Sequence, residues 1–190
     1  CYELLADVLK NASTQDLPIG ISRADTLIGP VLDTFLHETG HAVFSMLQIP
    51  VLGREEDAAD QFSAYIMLRL GKDEARRMIL GAAYQYRVYM PGPQVTVPIG
   101  TFSDEHSLPA QRAFSMVCLA YGADKKLFAD IVEKGYLPRS RADGCEIEYE
   151  DLTLAMTKLI SPHIDKRLAK QFHEVWTRTV SARRARFNRP

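Results

Sequence analysis

The segment around residues 37–41, which read His-Glu-Thr-Gly-His, constrains the fold of this chain more than any other part of its sequence. Two histidines four positions apart lie on one face of an α-helix, where both imidazoles can reach a single metal ion. After Glu38 the segment is uncharged, with Pro30 near its expected first turn and Pro50 beyond its end. These features predict a mostly buried helix over residues 30–48 that carries a metal site.

The order of residues within the pentapeptide also predicts a chemistry. Glu38 is rotated partly away from the two imidazoles, close enough to a water on the metal to take its proton. The spacing therefore predicts His37 and His41 as zinc ligands and Glu38 as a general base. Two histidines with a purely structural role are the alternative interpretation.

A catalytic zinc site usually has three protein ligands and one open position, so a third ligand is needed. One class of metallopeptidase extends the motif to HExxHxxGxxH, which would place Gly and His at positions 44 and 47. The chain has Phe44 and Leu47 there, and that class is excluded.

The next helix, expected at residues 54–70, begins with several carboxylates. Glu56 and Asp60 lie four positions apart on one face. We predict that Glu56 is the third ligand and that Asp60 hydrogen-bonds a ligand histidine and fixes its tautomer. Glu55 is the runner-up for the third ligand. Carboxylates that only favour the helix dipole would explain the start of this helix, but they explain Asp60 poorly.

Helical periodicity dominates the chain and predicts a mainly α fold, α+β at most, in a single domain over residues 1–181. A basic and flexible tail is expected at residues 182–190. Alternating residues at 95–99 suggest a short edge strand. The expected helices cover residues 2–11, 30–48, 54–70, 73–90, 109–121, 124–134, 149–160 and 162–181.

Composition excludes some function classes and leaves others open. A net charge of −1 gives no reason to expect nucleic acid or acidic substrates. No apolar run is long enough to span a membrane, and no signal-peptide pattern is present. Because the chain starts at Cys1, ahead of an amphipathic stretch, we expect it to be a processed piece of a longer protein. Cys118 and Cys145 either form a disulfide or stay as thiols, and export is slightly favoured over the cytoplasm.

The motif at residues 36–42 followed by residues 53–61 resembles bacterial metallopeptidases of the zincin superfamily, within the gluzincin branch. The similarity continues through residues 102–107, Gln111-Arg112 and 118–122 and includes Cys145, and so covers most of the chain. The resemblance implies a zincin-like helical domain that binds Zn²⁺ and acts on a peptide or protein. Family members usually carry a β-sheet ahead of the HExxH helix. That sheet is expected to be reduced or missing here.

His106 and Arg112 are further candidates for the active site. Their spacing is similar to one in membrane zinc endopeptidases of the CAAX-processing type. His106 could stabilise the oxyanion of a tetrahedral intermediate, with Arg112 as a supporting residue, while a surface charge cluster is the alternative. His163 and His173 are interpreted as structural.

We therefore predict a zinc metallopeptidase. The alternative is a zinc-binding regulatory or interaction module on a peptidase-like scaffold, without proteolysis. Hydrolysis of a non-peptide amide would use the same site chemistry.

Overall fold

Helices make up most of the chain in a computed structural model that describes Leu17, residues 20–88 and 96–172, Glu174, Val175 and Arg178. The predicted helix 2–11, His173 and the tail 182–190 lie outside these residues. The α-helices of the described part are α1 Asp25–Leu47, α2 Glu55–Met67, α3 Lys72–Val88, α4 Pro109–Ala123, α5 Ala129–Glu133, α6 Arg139–Ala142 and α7 Cys145–Leu159. Short 3₁₀ helices cover Ile99–Ser103 and Ser161–His163.

Helix α1, which carries the HExxH motif, begins five residues earlier than predicted. The hydroxyl and the backbone N–H of Ser22 both donate to Oδ2 of Asp25, at 2.6 and 2.8 Å. The Asp25 N–H donates back to the Ser22 hydroxyl oxygen at 3.3 Å, and this reciprocal turn precedes the helix. Pro30 therefore lies inside α1 rather than in its first turn, so that prediction is wrong. The Ser22–Asp25 turn lies more than one turn ahead of Pro30, and α1 continues through the proline.

The expectation that α1 is mostly buried is also wrong. One face packs into the protein, with His37 and Phe44 buried, but the opposite face exposes large apolar side chains. Phe35 is 65% exposed and Met46 is 81% exposed. The absence of charge makes it possible to bury a segment but does not make burial necessary, so an uncharged helix can still expose one face.

Helices α2 and α3 pack against α1, and two glycines of α1 permit the close approach. A Cβ at residue 40, between the two motif histidines, would lie 3.3 Å from the Cα of Ala59 on α2. A Cβ at residue 29 would lie 2.7 Å from the backbone nitrogen of Ala82 on α3. The close approach of Gly40 and Ala59 brings the acidic start of α2 next to the motif.

The mainly α fold class is confirmed, and no strand occurs among the residues that the structure describes. The edge strand suggested for residues 95–99 is wrong where it can be seen, since residues 96–98 are irregular and Ile99 starts a 3₁₀ helix. Pro98 lacks the N–H that a strand would use to pair. Residue 95 lies outside the described part.

The chain divides into two compact units, residues 1–153 and 154–190. The first contains α1 to α6, the start of α7 and the motif. Within it Cys118 and Cys145 are both fully buried and form a disulfide between α4 and α7, which decides between the two states left open above. The second unit contains the end of α7, the second 3₁₀ helix with an exposed His163, and helical residues 166–172. In the described part, no helix is long and apolar enough to cross a membrane.

Candidate metal centre

The two histidines of the motif and one carboxylate of α2 converge on a single point. The Nε2 atoms of His37 and His41 lie 3.2 Å apart. Glu56 places Oε2 3.0 Å from Nε2 of His37 and Oε1 3.4 Å from Nε2 of His41. Ligand atoms around a tetrahedral zinc, at metal distances of about 2.0–2.2 Å, are roughly 3.2–3.6 Å apart. Two imidazole nitrogens and a carboxylate are a donor set that suits zinc, and one ligand atom from each of the three residues lies within 4.8 Å of the others, so the group could hold a metal.

The outer nitrogen of each imidazole faces a carboxylate. Nδ1 of His37 lies 2.8 Å from Oδ1 of Asp60, and Nδ1 of His41 lies 2.8 Å from Oε1 of Glu55. A carboxylate at Nδ1 holds the proton on that nitrogen, which leaves the lone pair of Nε2 for a metal. Both imidazoles are thus oriented with Nε2 towards Glu56.

Glu55 and Glu56, the two candidates for the third ligand, lie in different positions relative to the histidines. Glu56 lies between the Nε2 atoms with a side chain 19% exposed, whereas Glu55 is 53% exposed and contacts the outer side of His41. Because α2 turns by about 100° per residue, its consecutive glutamates meet different sides of the same pair of imidazoles. A role for Glu55 in orienting His41 was not predicted.

Asp60 links the motif to α4. Arg112 donates from Nε to Oδ2 of Asp60 at 2.7 Å and from NH2 to Oδ1 at 2.6 Å. Burial alone would raise the pKa of Asp60, but the hydrogen bonds with His37 and Arg112 outweigh it and lower that pKa. In turn, the hydrogen bond with Asp60 raises the pKa of His37. The Asp60 carboxylate therefore stays ionised beside the imidazole.

His106 lies at the rim of the same cluster. Its Nε2 is 2.8 Å from Oε2 of Glu56, its Nδ1 is 3.3 Å from Oδ1 of Asp104, and 45% of its side chain is exposed. Its ring stacks on that of His37 with centroids 5.9 Å apart. The structure thus places His106, a loop residue that the sequence related to Arg112 by spacing alone, beside the carboxylate of Glu56.

Two cavities border the cluster. One, of about 380 Å³, is lined by His41, Glu55, Glu56, Glu105 and Arg54. The other, also about 380 Å³, extends from His106 past Arg112 and Tyr86. Glu38 is exposed, unlike the buried His37 next to it, so its carboxylate is accessible from solvent.

A model of a protein family described as "Putative metallopeptidase" matches residues 1–160. The chain belongs to this metallopeptidase family. Neither the curated proteins nor the solved structures give a significant match to it. The family agrees with a metal-dependent peptidase in general, and the matched residues include the whole cluster described above.

Beside the cluster lies a buried set of hydrogen-bonded residues that sequence reasoning missed. Asp33 on α1 accepts hydrogen bonds from Tyr86 and Ser63, each at 2.7 Å, and only 3% of Asp33 is exposed. The position of Asp33, one turn before His37 on the same face, was the available signal. Its partners come from α2 and α3, and no local pattern identifies them.

Proposed function

We propose that the chain is a zinc-dependent peptidase of the zincin type, with the two-histidine, one-glutamate ligand set of gluzincins. The observation that carries the proposal is the convergence of two Nε2 atoms and one carboxylate at 3.0 to 3.4 Å, each imidazole backed by its own carboxylate. Membership of a metallopeptidase family supports peptides or proteins as substrates.

His37, His41 and Glu56 are the residues that would hold the ion. Nitrogen and oxygen ligands of this kind suit zinc, and three of them leave one coordination position open. When bound, zinc supplies Lewis acidity, which polarises the scissile carbonyl and makes a water more acidic. The outer carboxylates of Asp60 and Glu55 keep both imidazoles in the tautomer that binding needs.

Glu38 acts as the general base in this proposal. It is exposed and follows His37 directly in the chain. It accepts a proton from the attacking water and then delivers that proton to the leaving amine, so that the peptide bond breaks with no net change in the enzyme. Glutamine has the shape of glutamate, but its amide group cannot accept the proton, so replacing Glu38 with Gln should remove this step.

His106 is proposed as a hydrogen-bond donor to the developing oxyanion. Its exposed ring and its contact with Asp104 leave Nε2 as the nitrogen that faces the cluster. This nitrogen lies 2.8 Å from Oε2 of Glu56, which places it next to the carboxylate that would hold the metal. Stabilisation of this kind contributes about 10²–10³-fold to turnover in other hydrolases.

The test compares wild-type protein with Glu38→Gln on a library of unstructured peptides, with and without a chelator. We expect wild type to cleave, the chelator to stop cleavage, and Glu38→Gln to bind zinc as wild type does while losing cleavage by at least about 10²-fold. Glu133→Gln, an exposed glutamate on α5, is the matched control and should cleave normally.

Two outcomes would reject the proposal. If Glu38→Gln cleaves like wild type, Glu38 is not the base. If wild type takes up zinc but cleaves no peptide, the chain is a zinc-binding module on a peptidase-like scaffold.

A further inference from the structure

A buried aromatic ring lies beneath the arginine that supports the metal centre. The Cζ atom of Arg112 is 4.6 Å from the ring centroid of Tyr86 on α3. A guanidinium over an aromatic face is attracted by the ring, most strongly where water is excluded. Tyr86 is 9% exposed, and 18% of the Arg112 side chain is accessible. The guanidinium of Arg112 therefore packs on the Tyr86 ring while it hydrogen-bonds Asp60.

The ring itself is held by its hydroxyl group. Tyr86 donates to Oδ2 of Asp33 at 2.7 Å, and Ser63 donates to Oδ1 of the same carboxylate at 2.7 Å. Burial raises the pKa of Tyr86, so the phenol keeps the proton that it donates. Asp33, Ser63 and Tyr86 come from α1, α2 and α3, so these hydrogen bonds tie the motif helix to both neighbouring helices.

A continuous path of contacts therefore runs from this anchor to the metal centre. Tyr86 stacks under Arg112, Arg112 forms two hydrogen bonds with Asp60, and Asp60 contacts Nδ1 of His37. A guanidinium has a planar array of donors, so its hydrogen bonds are good only when its plane is correctly oriented. Packing against a flat ring controls that orientation.

We propose that Tyr86 is a positioning residue of the metal centre: its ring orients Arg112, which keeps Asp60 on Nδ1 of His37 and the Nε2 lone pair directed at the metal. This inference rests on the proposed zinc site. The proposal assigns different roles to the ring and to the hydroxyl group of Tyr86. The ring supports the metal centre, while the hydroxyl group anchors the ring and contributes to the stability of the fold.

A purely structural tyrosine would behave differently. Its loss would lower the free energy of unfolding without changing the affinity of the folded protein for zinc. Tyr84 provides this comparison, since it lies on the same helix, is 6% exposed, and packs against Leu17, Leu27 and Val88, while Arg112 lies over the ring of Tyr86.

The experiment measures the zinc dissociation constant of the full chain by competition with a chromophoric chelator, together with unfolding by urea, for Tyr86→Leu, Tyr86→Phe and Tyr84→Leu. Loss of a residue that orients a ligand directly, as Asp60 does, weakens metal binding about 10–100-fold, and Tyr86 acts two contacts further out, through Arg112. We therefore expect Tyr86→Leu to bind zinc about 3- to 10-fold more weakly.

The other two variants separate the ring from general stability. Tyr86→Phe keeps the ring and should bind zinc within about twofold of wild type, although it unfolds more easily because Asp33 loses a donor. Tyr84→Leu should also unfold more easily and bind zinc normally. If Tyr86→Leu does not fold, Tyr86→Met replaces it, since Met fills the volume without a ring.

Three results would overturn the inference while wild type still binds zinc. The first is a normal zinc affinity in Tyr86→Leu. The second is an equal loss of zinc affinity in Tyr86→Phe and Tyr86→Leu. The third is a loss of zinc affinity in Tyr84→Leu as large as that in Tyr86→Leu. Failure of wild type itself to bind zinc would instead reject the proposed function.

Discussion

Replacing Asp60 with Asn tests how the carboxylate orients the ligand histidine, because the change preserves shape and removes one acceptor oxygen. In the structure Oδ1 faces both Nδ1 of His37 and NH2 of Arg112, and Oδ2 faces Nε of Arg112. Asparagine has one acceptor oxygen and one NH₂ group. If its oxygen takes the place of Oδ1, the NH₂ group meets the Nε donor of Arg112. If it takes the other place, the NH₂ group faces Nδ1 of His37.

The second orientation has a cost for metal binding. An NH₂ group at Nδ1 favours the tautomer in which Nδ1 accepts and Nε2 carries the proton, and a protonated Nε2 cannot bind zinc. Loss of an orienting partner weakens metal affinity about 10–100-fold, or about 1.4–2.7 kcal/mol. Asp60→Asn should therefore raise the zinc dissociation constant by this factor.

Stability should also fall, because Arg112 loses the carboxylate with which it forms its salt bridge. Breaking a fully buried ion pair costs about 3–5 kcal/mol. Since the side chains of Arg112 and Asp60 keep 18% and 17% exposure, we expect a smaller loss of about 2 kcal/mol.

Chelator competition and urea unfolding of the same samples give both quantities. Glu133→Gln serves again as the control for loss of a surface carboxylate. Asp60→Asn with wild-type zinc affinity would refute the argument about the tautomer, whatever its stability. A loss of affinity that disappears when the variant is stabilised by low temperature would show that unfolding alone caused it.

Three further predictions concern the packing, the disulfide and the protonation of the site. Gly40→Ala should lower the unfolding free energy by about 1–3 kcal/mol, because its Cβ meets Ala59 at 3.3 Å, and unchanged urea unfolding would contradict this. Reducing the Cys118–Cys145 disulfide, whose cysteines are 27 positions apart, should lower the unfolding free energy by about 3–4 kcal/mol. An equal urea midpoint with and without reductant would argue against that. The pKa of His37 is raised, so its protonation stabilises the metal-free fold below pH 6.5, and this contribution is lost as the pH rises through the raised pKa. Zinc uptake near pH 6.5 should then release protons, which calorimetry in two buffers detects, and heats independent of the buffer would contradict the shift.

The proposed ligand set can be predicted from the sequence because the information is local. Spacing along one helix decides which residues share a face, so His37 with His41, and Glu56 with Asp60, were paired before any tertiary contact was known. A short connection then left few ways for α2 to cross α1. The structure places the second pair against the first, with Glu56 inwards and Asp60 on the outer nitrogen of His37.

The supporting residues could not be predicted in this way, because their partners are distant in the chain. Tyr86 and Asp33 are 53 positions apart, and Arg112 and Asp60 are 52 apart. Only the packing of α3 and α4 on the motif helix brings them together. Glu55 shows a related limit, since a carboxylate next to a ligand serves as ligand or as orienting group according to the rotation of its helix.

The central claim is that His37, His41 and Glu56 hold one zinc ion, and the most direct test is the anomalous diffraction of crystals of the zinc-loaded protein at the zinc absorption edge. The account predicts one strong peak about 2.0–2.2 Å from both Nε2 atoms and from an oxygen of Glu56. The outer nitrogens of the two histidines should still face Asp60 and Glu55. A peak elsewhere in the chain, or an ion bound by the histidines with Glu56 turned away, would contradict the account.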